Sequence, residues 1–258
     1  MGHYHIKLTH LIQMPATGCS WEGVKGAVSR LLASGAIFGI YLGDELIWNG
    51  LPPSDLEAVA SAVRHDFPRA VIWLNEARPP LKNGLTQFQR RLKDFKLPAA
   101  VTWLSTDSYH FGPNPEHVAE TRRFYNRYIY PKLLPHQSVV LVPGSFASEH
   151  NPMRNKDCYE EFAASDARKY IEWARTDPRV VAVVPYHWNR CPYCVRTRNE
   201  IGTKDMNKPR AVWQDFGREL HAAQAERLAT ACRPEVRSGN ATAVQKCVSA
   251  AMAGSAGP

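Results

Sequence analysis

Five short apolar runs, each followed by a helical pattern, constrain this chain more than any other feature. The runs are IFGIYL (37–42), AVIWL (70–74), AAVTWL (99–104), SVVLV (138–142) and VVAVV (180–184). Each is rich in Val, Ile, Leu or aromatics, and each follows a Gly, Pro or basic residue within three positions. Such runs read as strands buried on both faces. After them, apolar residues recur at three-four spacing: Leu56, Val59, Ala60 and Val63, then Val118, Thr121, Tyr125, Tyr128 and Ile129, then Phe162, Tyr170 and Ile171, and last Val212, Phe216 and Leu220. A helix of the same kind, with Val24, Ala27, Val28, Leu31 and Leu32, precedes the first run. The unit repeats every roughly 30 to 40 residues, the size of a βα module. Right-handed crossovers then place consecutive parallel strands side by side.

Local signals set the expected boundaries. Ser54 and Glu57 read as a capping box, and Asn114-Pro115 as a cap followed by Pro at the first helical position. HIKLTHLI (5–12) is a weaker strand candidate, and the basic segment from Pro79 to Lys96 carries Leu85, Phe88 and Leu92 at helical spacing. Residues 1–230 are expected to form a single α/β barrel-like domain. Residues 231–258 are expected to be a C-terminal segment with a Cys232–Cys247 disulfide and a disordered tail from Ala250. A closed barrel of this kind needs eight strands. The expected fold is therefore α/β, of (β/α)8 barrel type, lacking the first one or two βα units. An open doubly wound sheet competes with it, but the chain has no Gly-rich phosphate loop.

Composition narrows the function. The net charge is +8, but the basic residues are scattered over predicted helices, as in Arg90, Arg91, Lys93 and Lys96 or Arg122, Arg123 and Arg127. A solvated outer face is the expectation, with no nucleic-acid partner. No apolar run reaches the roughly 18 residues of a membrane span, so no membrane partner is expected. MGHYHIK is too polar for a secretory leader. Six cysteines, including Cys232 and Cys247 around a short polar loop with the acceptor pattern Asn240-Ala-Thr242, suggest disulfides and an extracellular or secretory compartment. The leader would then have been removed, or the chain would be a fragment of something longer.

The chemistry gathers at one end of the strands. Asp44 and Glu45 follow the first run, with Trp48 and Asn49 in the same loop. Asn75 and Glu76 follow the second, Asp107 and Tyr109 the third, Phe146 the fourth, and Tyr186, His187 and Trp188 the fifth. Charged residues avoid the middle of a buried strand because desolvation is costly, so they mark its mouth, and ligands of parallel α/β proteins bind there. Carboxylates on neighbouring strand ends suit glycosidic cleavage, in which one acid protonates the leaving oxygen and a second group stabilises or attacks the oxocarbenium-like centre. Glu45 is the acid/base candidate. Asp44 beside it would raise its pKa or orient the substrate, and Glu76 and Asp107 are candidates for the second role. Asn75, Trp48, Tyr109, Phe146, Tyr186, His187 and Trp188 would bind substrate, the flat rings stacking on sugar faces. Trp73 and Trp103 lie inside strands and read as core.

The stretches IFGIYLGDE, AVIWLNEA, VTWLSTDSY, VVLVPGSF and VVAVVPYHW, followed by Ile201-Gly202-Thr203-Lys204-Asp205, resemble the later strand ends of TIM-barrel glycoside hydrolases over roughly residues 36 to 220. The resemblance implies a carbohydrate substrate and no cofactor. In the large retaining clan of that group, an Asn-Glu on the fourth strand is the acid/base and a Glu on the seventh is the nucleophile. Asp44-Glu45 takes the fourth position. The seventh departs from the pattern, ending in Gly144-Ser145-Phe146 with Glu149 further along. An Asp-Glu pair on the fourth strand is also similar to substrate-assisted hexosaminidases, where a Tyr assists, here Tyr109.

Two other classes remain open. A non-catalytic glycan-binding barrel would keep the aromatics without a working acid pair. A metal-dependent amidohydrolase would use His3 and His5, with His10, His150 and His187 available, although the first pair precedes its strand instead of following it. Cys19, Cys158, Cys191 and Cys194 suit disulfides or a thiolate zinc site, and the CPYC stretch resembles a thioredoxin-type redox motif. The sequence leaves the sugar, the linkage and the oligomeric state open.

Overall fold

The five apolar runs pair side by side into one parallel sheet. A computed structural model of the chain describes residues 21–84, 86, 92, 95–109, 114–147, 156–187, 201–237, 242–243 and 245–247. Helix α1 (Trp21–Ala33) leads into β1 (Gly39–Asp44), α2 (Pro53–Asp66), β2 (Val71–Asn75) and the short α3 (Arg78–Leu81). Then come β3 (Trp103–Ser108), α4 (His117–Phe124), β4 (Ser138–Pro143) and β5 (Phe146–Ala147). The rest is α5 (Lys156–Thr176), β6 (Val180–Val183), β7 (Ile201–Gly202), α6 (Asn207–Ala231) and α7 (Arg233–Arg237). The sheet order is β1-β2-β3-β4-β6, every neighbouring pair parallel, and β5 and β7 form a small antiparallel pair beside it. Sequential order is what successive right-handed crossovers produce. Among the described residues, no further strand pairs with the outer edges of β1 and β6.

One face of the sheet is packed by helices. Ile40, Leu42, Ile72, Leu74, Leu104, Val139 and Leu141 are buried there with Leu56, Ala60 and Val63 of α2 and with Tyr125, Ile129, Tyr170 and Trp173. Each such side chain contributes about 1.5–3 kcal/mol through its removal from water. Alternate residues line the other face, where Tyr41, Trp73 and Trp103 stand in register across β1, β2 and β3. Trp73 and Trp103, expected in the core, are only half-buried. The Tyr41 and Trp73 rings lie 4.7 Å apart, and Phe38, which is 56% exposed, lies 5.4 Å from Trp103.

Several boundaries differ from the sequence expectation. β1, β2 and β3 begin one to four residues later than the apolar runs. Before β3 the reason is a turn over Pro98, Ala99, Ala100 and Val101 that is held from outside. Gln137 Nε2 donates to the carbonyls of Pro98 and Val101, both at 2.9 Å. The capping box at Ser54 and Glu57 is not made: α2 starts at Pro53, Pro52 takes the cap position without a side-chain bond, and Ser54 Oγ donates to Asp55. The predicted helix 118–129 runs as α-helix to Phe124 and then widens into a π-helical turn, Tyr125–Ile129. Leu220, expected to face inward, is 54% exposed. The disulfide Cys232–Cys247 is present, with Cα atoms 5.7 Å apart. The strand candidate at 5–12, Leu85, Phe88 and the tail from Ala250 lie outside the described residues.

Candidate active site

β1 does not run straight to its acidic end. Tyr41 pairs with Trp73, but Gly43 then pairs with Leu74 and Asp44 with Asn75, so the register slips by one residue at a bulge. Strict alternation from Tyr41 would turn Glu45 toward the sheet's open face. The extra residue turns Asp44 there instead. Gly43 makes this geometry available, since its φ is +152° and a Cβ would sit 2.7 Å from Leu46 Cδ2. Glu45 then turns the chain with a φ of 51°, and its N–H donates to the Asn75 carbonyl at 2.9 Å.

The bulge brings Asp44 to Asn75. Asn75 Nδ2 donates to Asp44 Oδ1 at 2.7 Å and to Asp107 Oδ1 at 2.8 Å. Two oxygens bonded to one amide nitrogen must lie side by side, so the two carboxyl groups share one donor. Behind the amide, Ser105 Oγ donates to Asn75 Oδ1 at 2.5 Å, and Trp73 Nε1 donates to Ser105 Oγ at 2.8 Å. The Tyr41 hydroxyl lies near Asp44, and the Tyr109 hydroxyl near Asp107. Asp107 lies within β3, opposite Val142 of β4, two residues beyond Ser105 on the same face.

Electrostatics separates the four acids. Burial pushes the half-buried Glu45 up to about 7, reinforced by the negative charges of Asp44 and Asp107. Burial also raises Asp107, opposed by the Asn75 amide, with Asp44 pushing it further up and Tyr109 down. Tyr41 and Tyr109 are held well above the ordinary phenol range by burial and by the nearby carboxylates, so both remain hydroxyl donors. Glu76 is fully buried. Its Oε2 accepts the Ile47 N–H at 2.8 Å, and its Oε1 accepts the N–H groups of Trp48 at 3.2 Å and Ala77 at 2.8 Å. Burial pushes it up to about 7 against those three donors. All three favour the carboxylate form, and they tie the acidic loop after β1 to the end of β2. Arg78 makes no ion pair with Glu76. It donates to Ser108 and Thr121 and lies over the Phe124 ring.

An aromatic wall stands beside Asp107. Tyr109 stacks on Tyr186 at 5.1 Å, and Phe146 meets Tyr109, Tyr186 and His187 at 5.3–5.8 Å. Phe146 is buried and Tyr186 is 43% exposed, so the wall has a wet side. Trp48 is half-buried in the acidic loop. Among the expected site residues, Asp44, Asn75 and Asp107 are joined directly, Glu45 responds to the charges of the two Asp residues, and Tyr109, Phe146, Tyr186 and His187 cluster.

Other expected groups fall elsewhere. Trp188, Glu149, His150, His3, His5, His10, Cys19, Cys191 and Cys194 lie outside the described residues, as does the Cys158 side chain. Among the described residues, no group of three or more His, Cys, Asp or Glu side chains is arranged to hold a metal ion, and no helix is long and apolar enough to cross a membrane. A groove of about 1170 Å³ lies on the helical side, lined by Val118, Trp173, Val212 and Phe216 among others, and none of the strand-end acids lines it.

Sequence reasoning missed Tyr41, Trp73 and Ser105. Tyr41 and Trp73 sit inside apolar runs and look like core, and Ser105 is one small residue in a polar stretch. Only the cross-strand register brings them to the acids. Compared with known proteins, the chain matches no family model, and no curated protein matches it.

Proposed function

We propose that the chain is a glycoside-hydrolase-like protein, built on part or all of a (β/α)8 barrel, that cleaves O-glycosidic bonds with carboxylates at the strand ends. The observation that carries this reading is the convergence of Asp44 and Asp107 on the Asn75 amide, with Glu45 held near neutrality beside them. An acid poised near 7 is protonated often enough to donate to a leaving oxygen at physiological pH. Glu45 takes that part. Asp107, with Asp44 beside it on the same amide, stabilises or attacks the cationic sugar carbon. Glu76, its oxygens taken by backbone donors, anchors the loop that carries Glu45. Tyr109, Tyr186 and His187 offer a stacking surface for a sugar ring, and the half-buried Trp48 lies in the loop after β1. The disulfide supports a secreted or secretory-pathway protein.

The test is a panel of aryl glycosides assayed with wild type, Glu45→Gln and Asp107→Asn, each checked for folding. The reading expects turnover of at least one substrate and its loss in both variants, with glycan binding retained. Binding without turnover in the wild type favours a glycan-binding barrel, and neither binding nor turnover removes both carbohydrate readings. Turnover abolished by a chelator would assign the chemistry to a metal instead.

A further inference from the structure

We infer that Trp73 and Ser105 are positioning residues: together they fix which way round the Asn75 amide stands, and so which carboxyl of the cluster holds the proton. An Asn side chain has one acceptor end and one donor end, and nothing in its shape distinguishes them. Here the donor end must face Asp44 and Asp107 if both are to remain charged. A serine hydroxyl alone does not decide the matter, because it both donates and accepts. The indole N–H of Trp73 only donates. By occupying Ser105 Oγ at 2.8 Å, it leaves the Ser105 proton to point at Asn75 Oδ1, 2.5 Å away. The amide oxygen is thereby engaged, and both Nδ2 hydrogens go to the carboxylates.

The relay is buried where direction matters. Ser105 is 0% and Asn75 4% exposed, so no bulk water replaces a lost partner. Trp73 is held by the Tyr41 ring against it, and Tyr41 also lies near Asp44. The titratable groups around this relay are Tyr41, Asp44 and Glu45 from β1 and its loop, Asp107 and Tyr109 from β3, and Tyr186 and His187 beyond Tyr109, while Glu76 turns to the backbone N–H groups of Ile47, Trp48 and Ala77. With the relay intact, Asp44 and Asp107 share a neutral donor and Glu45 is left as the group that takes up a proton. Without it, the amide loses its fixed face, a proton bridges Asp44 and Asp107, and Glu45 loses a negative neighbour.

Only the effect on turnover rests on the proposed glycosidase reading. The test is therefore made first on the carboxyl groups, by NMR titration of protein labelled with ¹³C at Asp and Glu side-chain carboxyls. Ser105→Ala should raise the midpoint of Asp107 by about half to one pH unit, the worth of one hydrogen bond, and lower that of Glu45. Trp73→Phe, which keeps the ring against Tyr41 but drops the N–H, should move both in the same directions by less. Ser105→Thr, which restores a hydroxyl on a residue suited to a strand, should return both toward wild type. If the midpoints of folded Ser105→Ala and Trp73→Phe stay where they are in the wild type, the relay is refuted. Trp73→Phe decides alone if Ser105→Ala does not fold. Should the titrations behave as described while no glycoside is cut, the proposed function falls and the relay stands. In an active enzyme the upper limb of the pH–rate profile should move down with Glu45 in Ser105→Ala and recover in Ser105→Thr.

Discussion

Replacing Glu76 with Gln tests whether one buried carboxylate holds the acidic loop in place. The side chain accepts three backbone N–H groups, one on Oε2 and two on Oε1. A glutamine keeps a single acceptor oxygen. Its best placement sets that oxygen toward Trp48 and Ala77 and forces the amide NH₂ against the Ile47 N–H. One buried donor then has no acceptor, which costs about 1–3 kcal/mol, and the two remaining bonds lose their charge assistance, together another ~1–2 kcal/mol. Removing a buried charge recovers part of this, because burial pushes Glu76 up to about 7. The net loss should be about 2–4 kcal/mol. At roughly 2–4 °C per kcal/mol for a domain of this size, the melting point should fall by about 4–16 °C. The measurement is urea and thermal unfolding followed by circular dichroism at pH 8, above the value to which burial pushes this carboxyl. Glu76→Gln should also speed amide exchange at Ile47 and Trp48. A folded variant within about 0.5 kcal/mol of wild type, with those amides equally protected, would refute the anchor.

If Glu45 is the acid, activity requires its protonated form, so turnover should decline as pH rises through about 7, and pH–rate curves on a cleaved glycoside should show that limb. Gly43→Ala should cost roughly 2–3 kcal/mol in chemical denaturation, because a side chain at φ +152° is strained and its Cβ would press on Leu46. Burial opposes the charge of Asp177, but Arg179, Tyr130 and Trp173 all donate to it and hold it well below the usual carboxylate range. Its contribution is thus complete above the ordinary carboxylate pKa and is lost as pH falls through the depressed one. Asp177→Asn should lower stability by about 2–3 kcal/mol at neutral pH and flatten the acid limb of the stability curve, and an unchanged acid limb would exclude it. Cutting the disulfide with Cys232→Ser and Cys247→Ser removes a closure of 15 residues, worth about 3 kcal/mol to the segment it closes, and proteolysis beyond α6 should report its release.

The order of elements was legible in the sequence because its signals are local. Alternation of apolar runs with three-four spacing needs only neighbours along the chain, and it yields a parallel α/β sheet with consecutive strands adjacent. The same logic placed acids and aromatics at one end of the strands, since a buried strand excludes charge. The site within that end was not legible. A bulge at Gly43 decides that Asp44 and not Glu45 meets Asn75, and a one-residue slip is invisible until two strands are hydrogen-bonded. The sequence makes Glu76 a second catalytic candidate, but the structure surrounds it with three backbone donors, two of them from a loop about thirty residues away. Trp73 reads as core and Ser105 has no role in the sequence reading, yet the Trp73 N–H reaches Ser105 and the Ser105 O–H reaches Asn75 only because β2 and β3 pair in that register. Periodicity and composition act over a few residues and so determine elements. Register and hydrogen-bond direction act between distant segments, and only the folded sheet decides them.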